Sequence, residues 1–126
     1  MLTITFLPHQ LPEFISGHAD FDSACWSGAE CYMEDYEDFD PRDVRAFVKD
    51  NAGRRFNSAE ALYGVSSLPC RVGFCLGWLS ALACTHPDFA ASGLAYLTSL
   101  VPVQYQKEID RGCNPLVEVP GLYQSL

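Results

Sequence analysis

Hydrophobic positions recur at helical spacing through most of this chain. In residues 23–39 this spacing gathers apolar side chains on one side of a predicted helix and carboxylates on the other. The expected buried side comprises Cys25, Ala29, Tyr32, Met33 and Tyr36, with Trp26 at its margin. The opposite side comprises Glu30, Glu34, Glu37 and Asp38. The pattern therefore predicts an amphipathic helix whose outer side is acidic.

The next helix has a sharp predicted start at Asp40-Pro41, because a carboxylate can cap a helix and proline suits the first helical position. Gly53 is its predicted end. A capping pattern at residues 57–60 then predicts a short helix ending near Gly64.

The apolar run 69–84 predicts a buried helix. Its small residues Gly73, Gly77 and Ala81 recur every four positions, which leaves a groove where another backbone can approach closely. A further helix starts near Pro87, and Pro102 is expected to interrupt it, leaving one or two amphipathic turns before Gly112. Its expected buried positions are Phe89, Leu94, Leu97 and Leu100.

These elements predict a mainly α fold, a single compact domain of five to six helices around the apolar central helix. Within residues 1–126 we expect an acidic N-terminal third (1–43), an apolar helical core (44–112) and an extended C-terminal tail (113–126). The strand-like stretches 3–7 and 116–119 leave open a small two-stranded β patch joining the termini.

The negative charge is local. Residues 1–43 contain ten acidic residues and one arginine, a net charge of −9, whereas residues 44–126 carry +1. Such a surface repels nucleic acid and membranes and attracts basic surfaces. Direct nucleic-acid binding and membrane binding are therefore not expected.

The acidic stretch does not match a calcium-binding loop. Counted from Asp35, the sixth position is Asp40 and the twelfth is Ala46, where an EF-hand requires glycine and glutamate. Phosphate-binding, nucleophile-elbow and dinucleotide motifs are also absent from the sequence. We predict no cofactor and no metal site.

The expected compartment is the cytoplasm. The N-terminal residues lack the basic start of a secretory signal, and the uncharged run 72–87 is shorter than the roughly 20 residues that span a membrane. The six cysteines are then expected to stay reduced, several of them as small core residues.

The leading functional hypothesis is a non-enzymatic acidic binding protein that docks onto a basic, nucleic-acid-handling protein and inhibits it. Its candidate partner-binding residues are Glu30, Glu34, Asp35, Glu37, Asp38 and Asp40. Carboxylates at helical spacings of three and four lie about 5–6 Å apart, similar to neighbouring phosphates along a nucleic-acid strand. Anti-CRISPR and antirestriction proteins are the type of inhibitor this chemistry suggests.

The segment 32–39, with Asp35-Tyr36-Glu37-Asp38-Phe39 at its centre, is similar to an Asp-Tyr-Glu-Gly-Phe stretch of ArdA-type antirestriction proteins. The likeness covers about eight residues, and Asp38 replaces the glycine. It implies acidic mimicry of DNA.

Two alternatives belong to other classes. One is a small cysteine- or zinc-dependent enzyme centred on Cys25 or on Cys75, Cys84 and His86. Ser23-Ala-Cys25-Trp26 resembles the nucleophile segment of papain-like cysteine proteases, which implies Cys25 as the nucleophile, although the acids around it would raise a thiol pKa. The other alternative is an oligomeric structural subunit assembled through the small-residue helix.

Overall fold

The computed structural model describes residues 11–53, 67–112 and 114–117. Over this part the chain is mainly helical, as predicted, and no strand occurs within it. The α-helices are α1 (Glu13–Ser16), α2 (Phe21–Asp35), α3 (Val44–Ala52), α4 (Leu68–Leu82) and α5 (Pro87–Asp110). Two 3₁₀ helices, Tyr36–Asp38 and Pro41–Asp43, connect α2 to α3.

Helix α4 is the most deeply buried element. All but two of its residues are buried, and it packs against α1, α2, α3 and α5. Its apolar side chains join those of the other helices in one hydrophobic cluster. None of the described helices combines the length and the apolarity that a bilayer crossing requires.

Helices α2 and α4 touch through their backbones. A Cβ atom added at Gly28 would lie 1.9 Å from the carbonyl oxygen of Phe74, and one at Gly77 would lie 1.7 Å from that of Cys25. Neither position can therefore hold a side chain. The groove predicted on the small-residue side of α4 is confirmed, and α2 of the same chain fills it. The stripe that suggested an oligomeric subunit is covered within one chain.

The predicted helical start at Asp40-Pro41 is confirmed in part, because a 3₁₀ helix begins there and α3 itself begins at Val44. The Asp40 carboxylate accepts a hydrogen bond of 3.0 Å from the backbone N–H of Arg42, and Pro41 occupies the first turn. A 3₁₀ turn precedes the α-helix, which ends before Gly53. The Phe47 ring then stacks on Trp78 of α4, with 3.9 Å between ring centroids.

The predicted break at Pro102 is wrong, because α5 continues through it as one helix of 24 residues. A proline inside a helix costs about 3 kcal/mol through a lost hydrogen bond and a steric clash. Val101, Gln104 and Glu108 are nevertheless buried at helical spacing on one side of α5. These residues are buried both before and after Pro102, and this burial offsets the free-energy cost of the proline.

The predicted buried positions of α5 are correct in part. Leu94 and Leu97 are buried, and Leu100 packs against the core. Phe89 is wrong as a core residue, since 38% of it is exposed. It lies in the first turn, where α5 starts at the protein surface beside His86.

One buried ion pair joins α4 to α5. The Arg71 guanidinium donates to Glu108, and the Gln104 amide donates to the same Glu108 oxygen at 2.8 Å. Both charged side chains are almost fully buried. This polar contact fixes how the second half of α5 lies on α4.

Some predicted elements lie outside the described residues. These are the strand at 3–7, the helix at 57–64 and the last two residues of the second strand, 118–119. At the start of that second strand, Leu116 and Val117 form a turn and a bend. The β patch therefore stays a prediction.

Candidate partner-binding surface

The outer side of α2 and the 3₁₀ helix after it carry four exposed carboxylates, which we call the acidic face. They are Glu30, Glu34, Glu37 and Asp38. Glu30 and Glu34 are one helical turn apart and differ by about 40° around the α2 axis. The buried side of α2 is opposite and comprises Phe21, Cys25, Gly28, Ala29 and Tyr32. The backbone contact with α4 therefore turns Glu30 and Glu34 toward solvent.

No cation within the described part of the chain pairs with the acidic face. The ion pairs there are Arg42 with Asp40 and Arg71 with Glu108. The Arg45 guanidinium lies over the Tyr96 ring, 4.7 Å from its centroid. Among the described residues, the only side-chain hydrogen bond to the acidic face is donated by the Tyr36 hydroxyl to Glu37, at 3.3 Å. The negative charge of the acidic face is thus uncompensated in this part of the structure.

Two predicted binding residues have different surroundings. Asp35 lies on the flank of α2, where its carboxylate is 3.7 Å from the Cys31 Sγ atom. Asp40 forms a bidentate pair with Arg42, with a shortest distance of 2.8 Å, and these hydrogen bonds hold the pKa of Asp40 below its usual range. Asp40 therefore has a cationic partner, whereas the four residues of the acidic face have none among the residues that the structure describes.

Large apolar side chains adjoin the carboxylates. The exposed fraction is 42% for Trp26, 62% for Met33 and 50% for Tyr36. Trp26 and Met33 are separated by two helical turns and lie about 40–60° from Glu30 around the α2 axis. The predictions that Met33 and Tyr36 belong to the buried side are wrong, whereas the partial exposure of Trp26 is consistent with the marginal position predicted for it.

A displaced estimate of the buried arc explains this error. The predicted helix begins at Ser23, whereas α2 begins at Phe21, which is fully buried. Gly28 also belongs to the buried side, because its backbone contacts that of Phe74 in α4. Including Phe21 and Gly28 moves the centre of the buried arc away from Met33. The positions of Phe21 and Gly28 in the sequence were the signal that could have placed the buried side of α2 correctly.

The described residues do not support the two alternative sites centred on cysteine, the Cys25 nucleophile and the Cys75, Cys84 and His86 zinc site. Burial, followed by the nearby Asp22 carboxylate, raises the pKa of Cys25 to about 12, so its thiol is a poor nucleophile at neutral pH. Burial also raises the pKa of Cys75, which is completely enclosed in α4. Among the described residues, Cys75, Cys84 and His86 do not come together as a set of metal ligands. The expectation that acids would raise the Cys25 pKa is confirmed, with burial as the larger cause.

No protein-family model, curated protein or solved structure matches this chain. The chemistry of the surface is therefore the basis for inferring its function.

Proposed function

We propose that this chain is a small acidic binding protein that docks the acidic face onto a basic surface of a nucleic-acid-handling protein and inhibits it. The observation that carries the proposal is the acidic face, whose exposed carboxylates on α2 and the following 3₁₀ helix have no cationic partner among the described residues. Asp35 and Asp40 form the edges of this surface. The proposed inhibitor is of the anti-CRISPR or antirestriction type and acts in the cytoplasm.

The charge arrangement supports an electrostatic mode of binding. Like charges at helical spacing destabilise a helix by a few tenths of a kcal/mol per pair, so the fold gains nothing from this row. A protein that binds nucleic acid offers a complementary basic groove. Carboxylates on residues one helical turn apart, whose Cβ atoms are about 5–6 Å from each other, can occupy the places of successive phosphates in that groove. Competition with the nucleic acid would then be the means of inhibition.

The exposed apolar side chains favour a specific protein partner over nonspecific electrostatic binding of cations. Tryptophan is among the residues that contribute most to binding free energy at protein interfaces, and methionine adapts to irregular surfaces. Trp26 and Met33 lie beside Glu30 on α2 and so can be buried in the same contact. Charge would accelerate association, and these two side chains would slow dissociation.

The test is a salt titration of binding to a panel of purified CRISPR effector complexes and restriction enzymes. The variant Glu30→Lys/Glu34→Lys/Glu37→Lys should weaken binding at least tenfold and reduce the slope of log affinity against log salt. A matched control, Asp50→Lys/Asp88→Lys/Asp110→Lys, makes the same charge change at exposed positions of α3 and α5. It should affect affinity much less.

A second variant separates the two contributions. Trp26→Ala/Met33→Ala should weaken binding while leaving the salt dependence intact, because it removes apolar contacts and no charge. Unchanged affinity in the triple lysine variant, or failure of every panel member to bind, would contradict the proposal. Inhibition that persists after nucleic acid is already bound would contradict the competitive mechanism.

A further inference from the structure

A separate polar cluster lies at the N-terminal end of α2, opposite the end that carries Glu34. Ligand atoms of His18, Asp20 and Cys70 all lie within 4.8 Å of one another. His18 and Asp20 belong to the turn before α2, and Cys70 is the third residue of α4. Fifty residues separate Asp20 from Cys70, so no short-spacing metal motif could reveal this group.

The imidazole of His18 is held in a fixed orientation. Its Nε2–H donates to the carbonyl oxygen of Leu116 at 2.9 Å, which leaves the lone pair on Nδ1. Nδ1 accepts a hydrogen bond of 3.2 Å from the backbone N–H of Asp20, which a metal ion bound at Nδ1 would replace. Histidines that bind metals commonly donate their other ring N–H to a backbone carbonyl in this way. His18 therefore already has the second contact that orients a metal ligand.

We propose that His18, Asp20 and Cys70 form a binding site for a divalent transition metal, with zinc as the best match. Zinc binds imidazole nitrogen, thiolate sulfur and carboxylate oxygen, whereas calcium and magnesium prefer oxygen ligands alone. Three protein ligands leave a fourth tetrahedral position for water. This site does not depend on the acidic face and is independent of the proposed inhibition.

The three ligand atoms must move closer together to bind zinc. Zinc bonds of about 2.0–2.3 Å place tetrahedral ligand atoms about 3.3–3.7 Å apart, so each atom must move by about 1 Å or less. Asp20 is exposed and its carboxylate can rotate, while His18 stays anchored to Leu116. The bound metal would connect the α1–α2 turn to the start of α4 and would stabilise the folded chain.

Cobalt(II) is the probe for this site, because a thiolate ligand gives it an intense charge-transfer absorption. Titration of the reduced full chain should produce this absorption with one equivalent of cobalt, and zinc should displace it. Zinc should also raise the Tm of the wild-type chain. Because the thiol must lose its proton, apparent affinity should increase with pH.

Cys70→Ser should abolish the absorption and the zinc-dependent rise in Tm, and Asp20→Asn should weaken cobalt binding at least tenfold. The matched controls are Cys31→Ser, which removes a thiol beside another aspartate, and Cys84→Ser, which removes an exposed thiol after α4. Both should retain the absorption. No absorption in the wild type, several equivalents of binding, or absorption that survives Cys70→Ser would overturn the proposal. If Cys70→Ser fails to fold, unchanged affinity of the surface variant Asp20→Asn overturns it.

Discussion

Glu108 and the carboxylates of the acidic face are the same kind of group in opposite surroundings. Glu108 is 1% exposed and shares one oxygen between Arg71 and Gln104, so its charge is compensated inside the protein. Glu30 and Glu34 remain in water with no described cation beside them. A buried charge requires its partner for the fold to be stable, whereas an exposed row can be changed without that cost. The comparison thus separates charge that supports the fold from charge available for binding.

The largest expected change in stability is at the buried carboxylate, Glu108. Glu108→Ala should lower the free energy of unfolding by about 3–5 kcal/mol, because it leaves the Arg71 guanidinium buried without its carboxylate. Urea denaturation measures the change. Asp110→Ala, two residues away and exposed, is the control and should stay within about 0.5 kcal/mol of the wild type. Equal effects of the two substitutions would show that the buried pair contributes nothing special.

A smaller effect of opposite sign is expected on the acidic face. Glu30→Gln/Glu34→Gln should raise the free energy of unfolding by a few tenths of a kcal/mol, because it relieves repulsion between like charges one turn apart. The gain should shrink at high salt, where exposed charges are screened. Denaturation at low and high ionic strength tests both statements. A loss of more than about 0.5 kcal/mol would mean that the fold does use these charges.

The smallest effect is expected at Asp40, which is intermediate between the two cases. Its pair with Arg42 lowers the pKa of Asp40, so the stabilisation is present above the ordinary carboxyl pKa of about 4 and is lost as the pH falls. Asp40→Asn keeps a capping side chain but removes the charge. The variant should be slightly less stable at pH 7, and the difference should disappear on acidification. A pH series of urea midpoints measures it, and a difference that grows in acid would be the wrong sign.

Local patterns in the sequence predicted much of the fold. The 3₁₀ turn that begins at Asp40-Pro41 and leads into α3 follows from capping, and the small-residue groove on α4 follows from residue size, so neither needs knowledge of the rest of the chain. The uninterrupted α5 could not be predicted in this way. The burial that offsets the cost of Pro102 involves distant parts of the chain, since Glu108 meets Arg71, 37 residues away. Tertiary contacts overrode the local effect of proline.

The acidic side chains of the candidate site were predictable, but its apolar part was not. The outward position of Met33 depends on which side of α2 contacts α4, and that is set by backbone contact at Gly28. The meeting of His18 with Cys70 likewise depends on how the first turns pack on α4. Neither property is encoded in the spacing of residues within one segment.

The backbone contact at Gly28 and Gly77 has a consequence for how this protein can change. Helices α2 and α4 are in contact along the inner side of α2. Substitutions on the outer side of α2 therefore leave this contact unchanged. Evolution or protein engineering can therefore replace the outward-facing residues of α2 to bind a new target while Gly28 and Gly77 are kept. The same scaffold could in this way display many different recognition surfaces.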